Sequence, residues 1–473
     1  MPWIRAFWDW LEADTGQFAE ASQHALLLQQ QGDRDQADVL SQHWHRKDPG
    51  GIFTLLYAGA TALLRQQWQD AQVMLEQVVR SGGDTAEVLT LLGTAFLQLG
   101  DPKRALDCLE SALQRNPDLP EAHRVRADVL RSLALLDQAI HAYSLALQLN
   151  PNSVQARWNL ATTLLLAGEY EQGWHHYGVR FSPPVGVRPV QALPPPMLQG
   201  GLPEKGSKLW LVAEQGLGDT IQFARYALLL RQMGFDVSLI AQPALQGLLE
   251  SSGLVVASPA SDPSALVSPV SWLPLLSLPA LLGVSPARPL VTTPYLQFPS
   301  VLPQALQMEL DAEKRLLVAL NWQGNASMEV SNFRGRSLPL EAFAPLAAVR
   351  SVAFLSVQKG EGFEQLEACS FRHRFSSCQE LVDQLWDFRE IAALISRCDL
   401  LITSDTAVAH LAGAIGHPVW LLLKQIPDWR WRLHGDTTFW YPSMRLFRQQ
   451  RDGDWEGVME RVALALTEFA ASR

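Results

Sequence analysis

The stretch 399–423 contains the polar residues that are best placed to bind an anion. An apolar strand runs into Thr403, Ser404, Asp405 and Thr406, and a helix rich in Ala and Gly follows. Free backbone N–H groups and the positive end of the helix dipole point at whatever lies before a helix N-terminus. Small residues let such a helix pack close to a sheet and leave room for a ligand. The pattern predicts an anion site at a strand–turn–helix junction.

The length and composition of the chain indicate a globular protein of several domains. At 473 residues it is too long for one core, and we expect about two to four domains. The formal net charge of −10 disfavours nonspecific binding to nucleic acid or to anionic membranes. Four scattered cysteines without a CxxC pair are typical of reduced side chains in the cytoplasm. We expect neither a signal peptide nor a transmembrane helix.

The N-terminal third repeats at a spacing of 34 residues. Small residues fit where the two helices of a hairpin cross closely, and Pro ends the second helix. The pattern resembles tetratricopeptide repeats, with about five copies between residues 18 and 181. The aligned positions are Ala25, Gly59, Gly93, Ala127 and Ala161; Ala37, Ala71, Ala105, Ala139 and Gly173; Leu75, Leu109, Tyr143 and Tyr177; and Pro49, Pro117 and Pro151.

Such repeats bury a continuous core and present a concave surface. Two roles are open for them. They bind a peptide or a protein partner, including a second copy of the chain, or they serve as a purely architectural spacer.

A Pro-rich segment, 182–207, separates the repeats from a region with a different pattern. Its Pro and Gly residues exclude a helix or a central strand. Beyond it, apolar strands alternate with helical segments, which predicts parallel sheets. The expected strands are 208–213, 235–241, 315–322, 351–357, 399–403 and 419–423. The expected helices are 220–233, 243–251, 340–348, 388–397 and 455–471.

A series of motifs follows the repeats in a defined order. This order resembles a bacterial family of tetratricopeptide-repeat proteins that carry a GT-B type glycosyltransferase domain. That domain is similar to the family 9 heptosyltransferases and, more distantly, to the family 41 O-GlcNAc transferases. The resemblance covers essentially the whole chain. The motifs are AEQGLGDTIQFARY at 213–226, LNWQGN at 320–325, NFRGRSLPL at 332–340, SVQKG at 356–360, the stretch 399–423, PDWRW at 427–431 and WYPSMRLFRQ at 440–449.

The resemblance implies an N-terminal all-α tetratricopeptide solenoid followed by an α/β GT-B fold of two Rossmann-like lobes. The ligand crevice of such a fold lies between the lobes, at the carboxyl ends of the strands. In two-lobed folds of this kind, a terminal helix such as 455–471 often packs back on the first lobe. The implied domains are the solenoid 1–181, the linker 182–207, the acceptor-side lobe 208–305 and the nucleotide-sugar-side lobe 306–473.

On the acceptor side, Asp219 matches the acidic residue that acts as general base in heptosyltransferases. A carboxylate there can take the proton as the acceptor hydroxyl attacks the sugar C1 atom. Gly216 and Gly218 bring backbone close to the bound donor, and we count them as donor-binding. The alternative is that Asp219 merely caps the helix that begins at Thr220.

On the donor side, Arg334 and Arg336 match basic residues that meet the donor diphosphate. Fixed cations there stabilise the charge that the leaving group gains at the transition state. Gly324 and Asn325 of the LNWQGN motif belong to the same donor-binding side. The alternative for the two arginines is ordinary solvation in a loop.

The chain departs from the family pattern just before these arginines. Relatives often carry further basic or His residues where this chain has Met328, Glu329 and Val330. An acidic Glu329 beside a diphosphate disfavours efficient turnover.

The resemblance also assigns Asp405, Thr406 and His410 to the donor-binding segment. His410 lies one helical turn from Thr406, so the two share a face. Thr406 would donate to phosphate, and Asp405 would accept from sugar or ribose hydroxyls, although His410 alone equally fits a helix-packing histidine. Gln358 and Lys359, at the end of a strand, are candidates for nucleobase or phosphate contact.

Aromatic and cationic residues alternate over 429–432. Indole faces stack on sugars or bases and Arg binds phosphate, whereas the alternative is a packing motif that closes the lobes. The DxD sequence at 452–454 fits a solvated turn and helix cap better than a metal site. We therefore expect no metal and no cofactor, only the nucleotide-sugar co-substrate, with cationic side chains in place of a metal.

Two functions stay open at this point. The first is an inverting, metal-independent glycosyltransferase of the hexosyl, heptosyl or N-acetylhexosaminyl class. It would act in the cytoplasm on a protein or glycan, with the repeats recruiting the acceptor or a protein partner. The second is a non-catalytic scaffold with a degenerate transferase domain, which Glu329 favours and the presence of Asp219 and Arg336 disfavours. Neither function involves nucleic acid or an integral membrane segment.

Overall fold

The computed structural model divides the chain into two compact units. The first comprises Met1–Ala167 and Val179–Gly186, and the second comprises Gly168–Gly178 and Val187–Arg473. The residues that the structure describes are 17–190, 201–214, 216–257, 271–292, 294–299, 302–325, 329 and 335–473.

The first unit consists of helices that follow the repeat spacing. Small residues lie at the helix crossings, because a Cβ atom at Gly59 would come within 2.9 Å of Leu75 Cγ. Apolar side chains along the helices form a continuous core. The observed all-α solenoid confirms the prediction. Its helices are α1 Gln17–Gln31, α2 Arg34–Lys47, α3 Ile52–Leu64, α4 Trp68–Arg80, α5 Ala86–Gln98, α6 Pro102–Arg115, α7 Pro120–Ser132, α8 Leu136–Leu149 and α9 Val154–Ala167.

A buried polar network ties α7, α8 and α9 together. Arg124 forms ion pairs with Glu121 and with Asp128, the latter at 2.5 Å. Asp128 also accepts hydrogen bonds from the Tyr143 hydroxyl and, at 2.7 Å, from the Asn159 amide. Buried charges are tolerated when they are paired and hydrogen-bonded, so this network specifies how neighbouring repeats stack without leaving an isolated charge.

The last helix of the repeat pattern packs with the second unit. This helix, α10, spans Tyr170–Tyr177. Trp174 Nε1 donates to the carbonyl of Val284 at 2.9 Å, and the Trp174 ring lies edge-on to Trp429 with the centroids 5.3 Å apart. Repeat spacing and compact units therefore diverge at this helix. The domain bounds stay predictions, and part of the linker 182–207 falls outside the described residues.

The first lobe of the second unit contains a parallel sheet in the strand order β3-β2-β1-β4. This arrangement follows from the predicted alternation of strands and helices. The strands are β1 Lys208–Val212, β2 Asp236–Ile240, β3 Val255–Ala257 and β4 Ser271–Pro274, and the helices are α11 Leu217–Gln232, α12 Gln246–Ser251 and α13 Leu278–Leu282.

The second lobe contains a parallel sheet in the order β6-β5-β7-β8-β9. The edge strand β9 was not among the expected strands, because Arg445 and Arg448 interrupt its apolar residues. The strands are β5 Leu316–Asn321, β6 Val352–Ser356, β7 Leu400–Ser404, β8 Val419–Leu423 and β9 Met444–Arg448. The helices are α14 Gln304–Ala312, α15 Gln365–Ala368, α16 Gln379–Asp383, α17 Phe388–Ile395, α18 Ala407–Ala414 and α19 Trp455–Ala471.

Two expectations for this lobe were wrong. One is the type of helix over Leu340–Ala348: the predicted helix is present with these bounds, but it is a 3-10 helix that contains Pro345. The terminal helix α19 has the predicted bounds but packs in the core of the second lobe, against the 3-10 helix and β9, instead of on the first lobe. Its buried residues Val458, Val462 and Leu466 join that core.

Across the ranges that the structure describes, no helix has the length and apolar character needed to cross a membrane. The four cysteines, Cys108, Cys369, Cys378 and Cys398, are all free.

Gly413 of α18 allows this helix to pack against the chain that leads into β9. A Cβ atom at Gly413 would lie 2.6 Å from Met444 Cε and from Tyr441 Cδ1. We expect Gly413→Ala to lower the free energy of unfolding by about 1–3 kcal/mol, since a buried aromatic ring must move. Gly178→Ala is the control, because nothing lies within 4 Å of its added Cβ atom. Thermal unfolding measures both, and equal stability of the two variants would contradict the close packing.

Candidate functional site

The carboxyl ends of the strands in the two lobes face a common junction. Helix α11 follows β1 in the first lobe, α18 follows β7 in the second, and the two helices pack against each other. Gly218 makes this possible, because a Cβ atom there would lie 2.8 Å from His410 Cδ2 and 3.4 Å from Ala407 Cα. The N-termini of α11 and α18 therefore lie side by side, and their partial positive charges add.

Asp219 lies at this junction, in the first turn of α11. The N-cap of the helix is Gly216, and Asp219 Oδ2 accepts the Gly216 N–H at 2.9 Å. Asp219 therefore does cap the start of α11, but it does so from the third position of the helix (N3) and not from the N-cap position itself. Asp219 Oδ1 forms an ion pair with Arg430, and its side chain is 17% exposed. Burial raises the pKa of Asp219, while the charge of Arg430 opposes that rise.

Arg430 is a residue of this junction whose contacts the sequence did not reveal. Its guanidinium also pairs with Asp428 at 2.8 Å and donates from Nε to Gln222 Oε1 at 2.6 Å. The side chain is only 6% exposed. The signal was present in the alternation of Trp and Arg over 429–432, but nothing local indicates that the partner is Asp219. Buried Trp429 and Trp431 support the lobe-closing alternative for this segment.

A pocket opens beside this junction, at the carboxyl ends of β7 and β8. It combines two cations with two carboxylates. Burial, with the nearby Asp428 carboxylate, raises the pKa of Asp405 to about 6, against the opposing charges of Arg336 and Arg430. The lining residues are Arg336, Asp405, Leu422, Leu423, Lys424, Pro427 and Asp428.

Arg336 reaches the pocket over Gly324. A Cβ atom at Gly324 would lie 3.0 Å from an Arg336 Nη atom, so this glycine makes room for the guanidinium. Arg336 Nε lies 3.5 Å from Glu329 Oε1, and Glu329 also accepts from the Ser337 hydroxyl. The acidic residue that departs from the family pattern is therefore the partner of a predicted diphosphate-binding residue.

The structure does not test two further donor-side predictions, those for Arg334 and Asn325. Arg334 lies outside the described residues. Asn325 is exposed at the end of the described part of its loop. Their predicted roles stay predictions.

Thr406 and His410 make internal contacts in the structure. Thr406 donates to Asn321 Oδ1 at 2.8 Å, and Asn321 also accepts from Thr403 and donates to Gln358. His410 Nδ1 lies 3.0 Å from the Tyr441 hydroxyl. These bonds tie together the ends of β5, β6 and β7 below the pocket, and the sequence did not point to Asn321 as their centre.

His410 has the surroundings of a packing histidine. Its ring stacks on Trp431 with the centroids 5.4 Å apart, and its Nε2 atom is 4.0 Å from Asp405 Oδ1. Burial holds the pKa of His410 well below its usual range, so the ring is neutral at pH 7. The packing alternative therefore describes its observed contacts.

Gln358 and Lys359 also bond within the protein. Gln358 is buried; its Oε1 accepts from three donors, and its Nε2 donates to the carbonyls of Gln323 and Glu361. Lys359 Nζ donates to the carbonyls of Val382 and Asp383 at 2.9 and 3.1 Å. Both side chains organise the loops that follow β6, and a direct donor contact stays a prediction.

Among the described residues, no group of three or more His, Cys, Asp or Glu side chains could hold a metal ion. The carboxylates of the junction are instead balanced by arginines.

The raised pKa of Asp405 implies that its ionised form destabilises the fold. The folded-state pKa of about 6 lies above the ordinary aspartate pKa of 3.8, so stability that is present at pH 4 is lost as the pH rises through 6. We expect Asp405→Asn to stabilise the protein by about 1–3 kcal/mol above pH 7 and by much less at pH 4. Thermal unfolding between pH 4 and 8 tests this. Exposed Asp236→Asn supplies the baseline for losing a carboxylate, and an Asp405→Asn effect that matches it at every pH contradicts the assignment.

Comparison with known proteins divides the chain in the same way. The sequence profile of the tetratricopeptide repeat matches residues 57–120, 90–153 and 124–172. The profile of glycosyltransferase family 9 (heptosyltransferase) matches residues 351–433. This second match contains Asp405, Thr406, His410 and Arg430, whereas Asp219 and Arg336 lie outside it.

Individual relatives match the chain over different lengths. Protein FlbA of Caulobacter vibrioides is 27% identical over 428 residues, which is 85% of this chain and 70% of FlbA. The human protein O-mannosyl-transferase TMTC1 is 30% identical over 115 residues, which is 24% of this chain and 13% of TMTC1. Among solved structures, the tetratricopeptide-repeat protein YrrB is 21% identical and has a TM-score of 0.26, with 34% of this chain and 83% of YrrB covered. The chain thus combines tetratricopeptide repeats with a segment, 351–433, that is similar to glycosyltransferase family 9.

Proposed function

We propose that this protein transfers a sugar from a nucleotide-sugar donor to a hydroxyl of a protein or glycan acceptor. The observation that supports this most is that a carboxylate and a pocket with cationic residues lie close together at the lobe junction. Asp219 lies at the N-terminus of α11, and a pocket lined by Arg336, Asp405 and Lys424 opens where β7 and β8 end. A base and a cationic anion site belong on opposite sides of a transferred sugar.

The donor would occupy the pocket of the second lobe. Its diphosphate gains negative charge as the bond to the sugar breaks, and Arg336 and Lys424 stabilise that charge without a metal. Asp405 accepts a hydrogen bond from a sugar or ribose hydroxyl. Since its pKa is about 6, it is mostly ionised at pH 7 and can act as an acceptor.

The acceptor hydroxyl would approach Asp219. Each carboxylate oxygen has two lone-pair sites, so bonds to Gly216 and Arg430 leave room for an acceptor proton. Asp219 takes this proton while the acceptor oxygen attacks the sugar C1 atom from the side opposite the diphosphate. One direct displacement inverts the configuration at C1.

The repeats would recruit the acceptor or a protein partner. Solenoids of this type present an extended concave surface beside their continuous core, which suits a peptide or a folded partner. We place the reaction in the cytoplasm because the four free cysteines are typical of a reducing compartment.

A non-catalytic scaffold is the second candidate, and one observation favours it. Arg336 is already close to Glu329, and Asp219 is already paired with Arg430, so both proposed site groups have partners within the protein. In a scaffold these pairs would be permanent, and the pocket would bind a ligand without turning it over.

Asp219→Asn separates the two candidates. The variant should lose about 10²- to 10⁴-fold in transfer rate, because it cannot take the acceptor proton, and should keep its donor affinity. The donor is found first by thermal shift with UDP-, GDP-, CDP-, ADP- and dTDP-sugars, followed by a product assay on glycan and cell-lysate acceptors. Binding of a nucleotide sugar without turnover by the natural protein would favour the scaffold, and the absence of both would exclude the proposed transferase.

Arg336→Gln tests the diphosphate site. Removing a charge-assisted contact should weaken nucleoside diphosphate binding by about 10- to 100-fold. Arg315→Gln is the matched control. Arg315 pairs with Glu313 just before the amino end of β5, whereas the pocket lies at the carboxyl ends of the strands. Isothermal titration with the nucleoside diphosphate of the identified donor measures both. Equal affinities would remove Arg336 from the site.

A further inference from the structure

We propose that Arg430 is the positioning residue for Asp219: it holds the carboxylate at the lobe junction and keeps it ionised there. This inference rests on the proposed function, in which Asp219 is the base. Arg430 itself would not contact the donor, since it does not line the pocket.

The guanidinium of Arg430 fills the space between two elements. Nη2 pairs with Asp219 and Nε donates to Gln222 at 2.6 Å, so two of its nitrogen atoms bind α11 of the first lobe. Nη1 binds Asp428 of its own segment at 2.8 Å. A planar fork with fixed donor directions restricts both the distance and the orientation of each partner.

Asp219 is held at both oxygen atoms as a result. The Gly216 N–H binds Oδ2 at 2.9 Å and anchors the carboxylate to its own loop. Arg430 binds Oδ1 and sets its rotation relative to the second lobe. Without Arg430, only the local bond to Gly216 would remain among the bonds that we describe for this carboxylate.

Arg430 is itself held by an aromatic cage. Its guanidinium carbon lies 4.2 Å from the centre of the Trp429 ring and 5.5 Å from that of Phe223. Trp440 Nε1 donates to the Arg430 carbonyl at 3.1 Å. Trp429 in turn contacts Trp174 and Tyr177 of α10. A cation with such neighbours has little freedom to leave Asp219.

The charges around Asp219 make the cation necessary. Glu214 after β1 and Asp428 before Arg430 both disfavour a second negative charge, and burial adds to this. Neighbouring His410 of α18 is neutral because its pKa is far below the usual range. Arg430 is the strongest influence that lowers the pKa of Asp219. Removing its charge should therefore leave Asp219 protonated, and unable to act as a base, up to a higher pH.

Arg225 offers a matched comparison on the same helix. It is also buried, and it also joins the lobes, since its guanidinium donates to the Trp440 carbonyl at 2.7 Å. Its other described contacts are backbone carbonyls, the Tyr295 hydroxyl and the rings of Tyr295, Trp440 and Tyr441, and none of them involves Asp219. If Arg430 only closes the lobes, then variants of Arg225 and Arg430 should behave alike.

The experiment compares Arg430→Gln, Arg430→Lys and Arg225→Gln in the full chain. We expect Arg430→Gln to lower kcat by about 10- to 100-fold, with KM for the donor changed by less than about 3-fold. The acidic limb of its pH–rate profile should move upward by at least about half a pH unit. Arg430→Lys keeps the positive charge, so the acidic limb of its pH–rate profile should stay at the wild-type position, while kcat should recover only in part. Arg225→Gln should leave the limb in place.

A second measurement does not need turnover. The carboxyl ¹³C signal of Asp219, in protein labelled at aspartate and assigned by its loss in Asp219→Asn, reports the titration midpoint directly. It should rise in Arg430→Gln and stay in place in Arg225→Gln. An unchanged midpoint in Arg430→Gln overturns the proposal. If Arg430→Gln does not fold, a wild-type kcat in Arg430→Lys overturns the proposal, because an ammonium group cannot reproduce the three directed bonds of the guanidinium.

The two measurements also separate this inference from the proposed function. If the natural protein turns over no nucleotide sugar, the transferase proposal fails, while the NMR midpoint still decides whether Arg430 keeps Asp219 ionised. If turnover is found and Arg430→Gln matches Arg225→Gln in kcat and pH profile, only the positioning role is lost.

Discussion

The ion pair between Arg430 and Asp219 is the interaction on which the lobe junction depends. Burial makes an unpaired carboxylate costly, and the junction contains Asp219, Asp405 and Asp428 within a small volume. The guanidinium of Arg430 bonds to Asp219 and Asp428, and its positive charge offsets the repulsion among the three carboxylates. The same bond joins α11 of the first lobe to the segment after β8, so one ion pair contributes both to the electrostatic balance and to the closure of the lobes.

Close helix packing at Gly218 restricts the anion site that we expected before α18, because it covers part of the helix N-terminus. The first lobe covers one side of that helix N-terminus, since Gly218 lies against Ala407 and His410. The open side is the pocket between Arg336 and Lys424, where β8 ends. A ligand phosphate would therefore meet side-chain cations as well as backbone N–H groups. Small residues serve here to bring two helix N-termini together as much as to admit a ligand.

The sequence predicted the architecture because its signals are local and periodic. Repeat spacing and alternating strands are set by neighbouring residues, so the solenoid and both parallel sheets were expected. Pairings across the junction were not, since Asp219 and Arg430 are separated by most of the second unit and each has an ordinary local explanation. The polar centre at Asn321 was missed for the same reason, since its partners lie on distant elements, whereas β9 was missed because its arginines interrupt the apolar pattern. His410 fitted two interpretations, and its contacts with Tyr441 and Trp431 distinguish them.

Helix α10 shows that a sequence repeat and a structural unit need not share a boundary. Its small residue Gly173 continues the repeat series, but Trp174 and Tyr177 pack on Trp429, the residue next to Arg430. A repeat helix must bury its apolar face against a neighbouring element, and the apolar face of α10 packs against residues of the second lobe. Any displacement of α10 would thus reach the cage around Arg430 through a chain of ring contacts. By its contacts, the last helix of the repeat series therefore belongs to the unit that contains Asp219 and Arg430.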